Sequence, residues 1–142
     1  MEFSQIPSEK LPDVWLALLP YIEKALSYAN GEQTIEDVYN DILFGNTQLW
    51  AVHLGTETQA VGVTRLVQFP KKKVCRVVLF SSDALDSMMH LWPRFEDWAR
   101  AEGCQSIDWM GRPGFVKIMK ANGYESKYTV MSKDITLSST IH

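Results

Sequence analysis

The stretch SIDWMGRPGFVKIMKANGYESKYTVMSK, from Ser106 to Lys133, changes its residue spacing three times. Apolar and polar residues alternate over Ser106–Met110, which predicts a strand. Gly111–Gly114 interrupts that pattern, and the apolar residues that follow at three- and four-residue steps predict a short helix ended by Gly123. Tyr124–Lys133 then predicts a returning strand. The stretch therefore predicts a strand, a turn, a helix and a final strand.

Length and composition predict one globular domain. The chain has 142 residues, of which 46% are apolar and 22% charged, as in ordinary soluble proteins that bury a real core. We expect a single domain over residues 1–142, with a frayed Ser/Thr-rich tail at 134–142.

Charge and hydropathy argue against nucleic acid and membrane as partners. The net charge of −3 gives no general attraction for either, and Lys71–Lys73 is interpreted as a solvated hairpin tip. No apolar run approaches the roughly 18 residues of a membrane span, and the N-terminus lacks a signal-peptide pattern. Cys75 and Cys104 are interpreted as free thiols, because their spacing suggests no metal site. These features predict a cytoplasmic protein without a bound metal.

The first half of the chain predicts a strand and two helices. Phe3–Ile6 is the strand, and a helix capped by Ser8 is expected to kink or divide at Pro20 and to end at Asn30-Gly31. Its expected apolar face contains Trp15, Leu16, Leu19, Ile22, Ala25, Leu26 and Ala29. Thr34 is expected to cap the second helix, which Gly45 closes.

The middle of the chain predicts a three-stranded meander and a long helix. The strands are Leu49–Leu54, Ala60–Phe69 and Val74–Phe80, and the last is apolar enough to be covered on both faces. Pro93 is expected to bend the helix Leu85–Glu102 or to delay its start to Trp92. The predicted core contains Trp15, Leu19, Ile42, Trp50, Val63, Val77, Leu79, Phe95, Trp98, Ile107 and Ile118.

This order of elements resembles the GNAT N-acyltransferase superfamily over nearly the whole chain. The resemblance is carried by the strand Gln59–Val63, by the VVLF strand that leads into a helix, and by the pair Gly123-Tyr124. The segment from Trp98 to Phe115 looks closest to small uncharacterised GNAT-like proteins of tailed phages and prophages. The resemblance implies an α/β (α+β) fold with a mixed, twisted, splayed sheet and helices on both faces.

The resemblance also implies a cofactor, acetyl-CoA or another acyl-CoA. In the family, the strands corresponding to Val74–Phe80 and Ser106–Met110 splay apart, and their free backbone groups pair with the pantetheine arm. The phosphates bind the next loop and helix N-terminus. The expected cofactor-binding residues are Val78, Leu79, Phe80, Ser81, Ser82, Asp83, Ala84, Leu85, Asp86 and Ser87.

The predicted phosphate loop departs from the family pattern. Ser81–Ser87 contains neither glycine nor arginine, and it carries two aspartates where phosphates would lie. Asp83 or Asp86 is alternatively the N-cap of the following helix, which would occupy the same backbone amides. We therefore expect weak binding, with a dissociation constant above roughly 1 µM.

The candidate catalytic residues are Asp108 as a base and Arg112 as an anion anchor. Met119 stands where many family members have a tyrosine that protonates the leaving thiolate, and Tyr124 is expected to pack in the core with an exposed hydroxyl. The alternative for Asp108 and Arg112 is a local ion pair that fixes the Gly-rich turn.

Two functions follow from these observations. The first is an acyl-CoA-dependent N-acyltransferase that acts on a small-molecule or protein amine. The alternative is a catalytically degenerate GNAT-fold binding protein of phage origin, suggested by the glycine-free loop and Met119. A third possibility is a homodimer in which a partner's strand completes the sheet.

Overall fold

The computed structural model describes residues 1–28, 31–109, 113–128 and 130–136, with the backbone alone at residue 113. Its core is a five-stranded sheet in the order β1-β2-β3-β4-β5. The first four strands pair antiparallel, whereas β5 is parallel to β4, as a crossover helix requires. The strands are β1 (Glu2–Ile6), β2 (Gln48–Leu54), β3 (Glu57–Gln68), β4 (Lys73–Ser82) and β5 (Ser106–Trp109). The mixed sheet confirms the predicted fold class.

Helices cover both faces of this sheet. The helices are α1 (Leu11–Leu26), α2 (Ile35–Leu43), α3 (Leu85–Met88), α4 (Trp92–Ala101) and α5 (Pro113–Ala121). Single 3₁₀ turns at Ser8–Lys10 and Met89–Leu91 precede α1 and α4. Buried residues of α1 and α2 share one apolar cluster with β2–β4, and α3 and α4 share a second cluster on the opposite face.

Strand β4 lies at the centre of both clusters, as the sequence predicts. It is flanked by β3 and β5, and Val74, Cys75 and Val77 are almost fully buried. Of the predicted core, Ile42, Trp50, Val63, Val77, Leu79 and Phe95 are buried. The other predicted core residues are partly exposed, and these are Trp15, Leu19, Trp98, Ile107 and Ile118.

The predicted buried face of α1 is confirmed at Ile22 and Ala25 and is wrong at Leu16. Leu16 is 81% exposed, whereas Leu11 and Leu18 are buried together with Ile22 and Ala25. Those four residues are spaced by seven, four and three, which places them on one face. In a helix this rich in leucine, more than one apolar stripe fits the sequence, so packing against the sheet decides which is buried.

The predicted boundaries of α1 also need correction. Ser8 makes no capping bond, because a 3₁₀ turn separates it from the helix start, where Pro12 is tolerated in the first turn. Pro20 lies inside one continuous helix on its exposed side, so the predicted division into two helices is wrong. The helix ends at Leu26, before Asn30, which lies outside the described residues.

The predicted starts of α2 and α4 are confirmed. Thr34 Oγ1 accepts a bond from the Asp37 backbone N–H at 3.1 Å, and Asp37 Oδ2 accepts one from the Thr34 N–H at 3.0 Å, which forms a capping box. Helix α4 begins at Trp92 with Pro93 in its first turn, where the missing N–H costs nothing.

The final predicted strand, Tyr124–Lys133, is wrong for the residues that the structure describes. Residues 124–128 and 130–133 form neither helix nor strand, and Tyr128, Val130 and Met131 are 83%, 77% and 91% exposed. Strand preference reflects packing against a neighbouring strand, and in the described sheet no strand pairs with this segment. Among the described residues β5 is therefore an edge of the sheet.

Candidate functional site

Strand β4 contains a β-bulge at Val78. On the β3 side, Val63 pairs with Leu79 and Thr64 with Val77, so Val78 is an additional residue in a β-bulge. On the β5 side, the described ladder ends at the pair Val77↔Trp109, although β4 continues for the five residues to Ser82. Bulges occur frequently next to functional sites, because they redirect the backbone. The predicted cofactor residues Val78, Leu79, Phe80 and Ser81 all lie on this extension of β4.

Aromatic rings pack around Phe80, which lies on the extension of β4 from Val78 to Ser82. The Phe80 ring centroid lies 4.9 Å from Trp109 and 5.7 Å from Phe115, and Trp92 stacks on Trp109 at 5.1 Å. An apolar cavity of about 30 Å³, the scale of one or two water molecules, lies in the core between β1–β4 and the helices α3 and α4. The aromatic packing therefore fixes the position of Phe80 in the segment that follows the bulge.

The loop after β4 is shaped by Ser82 and not by an aspartate cap. Ser82 Oγ accepts a bond from the Ala84 N–H at 3.0 Å and donates to the Gln59 carbonyl at 3.4 Å. Helix α3 then begins at Leu85, with Ala84 as N-cap and no side-chain capping bond. The alternative interpretation, in which Asp83 or Asp86 caps this helix, is therefore wrong.

The Asp83 carboxylate is instead held by α1. Lys24 Nζ lies 3.2 Å from Asp83 Oδ1, and the Tyr21 hydroxyl lies 3.5 Å from Asp83 Oδ2 while donating to the Thr58 carbonyl at 2.5 Å. Burial raises the pKa of Tyr21, and the charge of Asp83 raises it further. The sequence does not predict the contacts of Tyr21 and Lys24 with Asp83, because residues 59 to 62 positions apart carry no local signal of contact.

Asp108 is paired with a different arginine from the predicted one. Asp108 Oδ2 lies 3.5 Å from Arg76 Nη2, its direct neighbour on β4, and both side chains are about one-third exposed. Met110, Gly111 and Arg112 lie outside the described residues, so the predicted Asp108–Arg112 pair does too. The described part of the site therefore holds Asp108 in a cross-strand ion pair one residue before the end of the described ladder.

The hydroxyl of Tyr124 is paired inside the protein, which corrects the prediction that it is exposed. Trp92 Nε1 donates to it at 2.7 Å, and it donates to Glu96 Oε2 at 2.9 Å. Burial is the main cause that raises the pKa of Tyr124; the bond from Trp92 lowers it, and Glu96 raises it. Met119, at the position of the missing family tyrosine, is buried.

The two cysteines lie outside the segment Val78–Ser82. Cys75 and Cys104 are free thiols, and burial raises the pKa of Cys75 to about 12. In the described part of the chain, no group of three or more His, Cys, Asp or Glu side chains is placed to hold a metal ion. No described helix is both long and apolar enough to span a bilayer.

Comparison with solved structures identifies the fold. The chain is similar to an aminoglycoside acetyltransferase from an uncultured soil metagenomic sample, in complex with sisomicin (10% identity, 96% of each chain covered, TM-score 0.69). It is also similar to glucosamine-6-phosphate N-acetyltransferase from Arabidopsis thaliana (12% identity, 95% of this chain and 98% of that one, TM-score 0.62). A structure described as a probable acetyltransferase matches at 11% identity over 98% and 99% of the two chains, with a TM-score of 0.66.

Sequence comparison adds no closer relative. No protein-family model matches the chain, and no curated protein matches it significantly. The structural likeness extends over nearly the full length of both chains in each comparison, at identities that establish the fold alone. The likeness to known acetyltransferase structures over nearly the full length of both chains shows that this chain has a GNAT-like fold.

Proposed function

We propose that the protein is an acyl-CoA-dependent N-acyltransferase that acts on an amine. The observation that carries the proposal is the extension of β4 from Val78 to Ser82, which begins at a β-bulge and runs past the last described residue of β5. An extended ligand with amide groups can add to such a strand edge as a further strand would. The pantetheine arm of acyl-CoA has two amides and the length to do so, which fits Val78–Ser81.

The chain's own groups supply positioning and polarisation in this proposal. A bound acyl-CoA supplies an activated thioester; the amine nitrogen forms the new C–N bond, the C–S bond breaks, and the proton lost by nitrogen balances the proton gained by the thiolate. Backbone N–H groups of the bulge at Val78 would hydrogen-bond the carbonyl oxygen as negative charge develops there. Asp108 as base and Arg112 as anion anchor complete the proposed site.

The donor proposed for this site has a short acyl group. The rings of Phe80, Trp109 and Phe115 pack against one another beside this segment, and bulky side chains there favour acetyl over longer chains. The phosphates would lie over Ser82–Ser87, where no glycine permits close backbone approach and Asp86 stays exposed. Affinity for acetyl-CoA should therefore be modest, with a dissociation constant above roughly 1 µM.

Isothermal titration with acetyl-CoA tests this proposal first. Saturable binding is expected for acetyl-CoA and for CoA, and weaker binding for a palmitoyl donor. A screen of aminoglycosides, amino sugars and peptides, with release of free CoA as the readout, would then identify the acceptor. Binding without transfer to any amine would favour the alternative, a binding protein, and the absence of binding would exclude the acyltransferase.

The compartment and the oligomeric state of the protein are also part of the proposal. We infer a single domain in the cytoplasm, since its two cysteines are free thiols. We further infer a homodimer, because β5 ends the described sheet and an exposed apolar segment follows α5. Light scattering on the purified protein measures the second point directly.

A further inference from the structure

A lysine from the first helix stands at the loop that the proposed function assigns to phosphates. We infer that Lys24 supplies the positive charge for the ligand's phosphates, exchanging its ion pair with Asp83 for one with phosphate oxygens. This inference rests on the proposed function and names a binding residue that lies far from the loop in sequence. Three observations support it: the position of Lys24, the exposure of the Lys24–Asp83 pair, and the charged side chains around the loop.

The position of Lys24 is fixed by contacts at one end of the sheet. Asp83 directly follows the last residue of β4, and its backbone N–H bonds the Gln59 carbonyl of β3 at 3.4 Å. Tyr21, three residues before Lys24 on α1, bonds the Thr58 carbonyl at the same end of β3. These bonds hold the last turns of α1 against the point where β4 enters the proposed phosphate loop.

The pair between Lys24 and Asp83 is accessible and exchangeable. Their side chains are 45% and 63% exposed, and exposed pairs of this kind contribute little to stability. A phosphate carries more charge and more acceptor oxygens than one carboxylate, so a lysine that releases Asp83 gains an interaction of at least equal strength. The flexible four-carbon stem of lysine permits that movement without moving the helix.

Phosphates bound at this loop would lie beside two carboxylates, so their binding requires a nearby cation. The loop itself contributes Asp83 and Asp86, which would repel phosphates. Three described arginines pair elsewhere, in the contacts Arg65–Asp41, Arg76–Asp108 and Arg100–Asp97. Lys24 forms an ion pair with the loop itself, at Asp83.

Titrations with CoA and with pantetheine, which lacks the phosphates, test this inference. Lys24→Met should weaken CoA binding by about fivefold or more and leave pantetheine binding unchanged, while Lys24→Arg should retain most of the CoA affinity. Asp83→Asn should tighten CoA binding, because it removes a repelling carboxylate. Lys71→Met, which removes the same charge at the opposite hairpin tip, is the matched control and should change neither affinity.

The outcomes separate this inference from the proposed function. If wild-type protein binds both ligands and Lys24→Met binds CoA equally well, the inference is wrong and the acyltransferase proposal stands. If Lys24→Met weakens pantetheine as much as CoA, or lowers the melting temperature markedly, Lys24 acts through the fold and the inference is wrong. If wild-type protein binds neither ligand, both the inference and the proposed function are wrong.

Discussion

At the scale of single residues, the site contains contacts that no local pattern predicts. Tyr124 was expected to expose its hydroxyl, but it lies between Trp92 and Glu96, residues 32 and 28 positions away along the chain. Lys24 and Asp83 meet in the same way across 59 positions. A sequence shows that such groups exist, whereas only the packing of α1 and α4 on the sheet brings them together.

The buried Tyr124 hydroxyl should stabilise the fold. Tyr124→Phe leaves the Trp92 N–H and the Glu96 carboxylate without this partner, so the free energy of unfolding in urea should fall by about 1–3 kcal/mol. Tyr128→Phe removes the same atom from an exposed side chain and serves as the control. Equal stability of the two variants would show that the hydroxyl of Tyr124 contributes nothing.

The buried Cys75 thiol should make stability depend on pH in the alkaline range. Burial, with the nearby Cys104 thiolate as a second cause, raises its pKa from 9.0 to about 12 in the folded protein. Below pH 9 the thiol is protonated in both folded and unfolded chains, so its contribution is complete. Above pH 9 the unfolded chain ionises first, and stability should fall by up to about 1.4 kcal/mol per pH unit until about pH 12.

Chemical denaturation between pH 8 and pH 10 measures this dependence. Cys75→Ala should be less stable at pH 8, because it leaves a cavity, but its stability should fall less steeply above pH 9. Parallel slopes for the wild type and the variant would contradict the assignment of this dependence to Cys75.

At the scale of helices and strands, features set by neighbouring residues were predicted correctly more often than features set by residues distant in the sequence. The capping residue Thr34 and the start of α4 beside Pro93 were predicted correctly, because caps and prolines act within one turn. The buried face of α1 was wrong at Leu16, since its choice depends on the sheet. The bulge at Val78 was not predicted, because an additional residue leaves no pattern in an apolar strand, and the splay of β4 from β5 stays an expectation from the family resemblance.

The capping box of α2 provides a test at this scale. Thr34→Ala removes the acceptor for the Asp37 N–H, so it should destabilise the protein by about 1 kcal/mol. Thr56→Ala, in the exposed turn between β2 and β3, is the matched control and should stay within about 0.5 kcal/mol of wild type. A thermal shift of the same size in both variants would mean that the box does not support the helix.

At the scale of the whole molecule, the C-terminal segment is where the sequence prediction failed. Tyr124–Lys133 has the composition of a strand, but Tyr128, Val130 and Met131 are exposed to solvent, and β5 is an edge of the described sheet. Composition alone cannot say whether such a segment pairs within its own chain, with a second copy or not at all.

The proposed homodimer predicts a solution mass near twice the 16.2 kDa of the chain. Met131→Lys should shift the equilibrium toward monomer, because it places a charge in the segment that would pair. Leu16→Lys changes a similarly exposed apolar residue on α1 and should leave the mass unchanged. Light scattering that shows a monomer for the wild type would rule out the dimer.

The central proposal is that acyl-CoA binds along the edge of β4 beyond Val77. Titration of isotopically labelled protein with acetyl-CoA, followed by backbone amide NMR, tests it most directly. Binding at this edge should give the largest shift changes and new protection from hydrogen exchange at Val78–Ser82, with little change at Val74–Val77. Unchanged amides over Val78–Ser82 at saturating acetyl-CoA would contradict it.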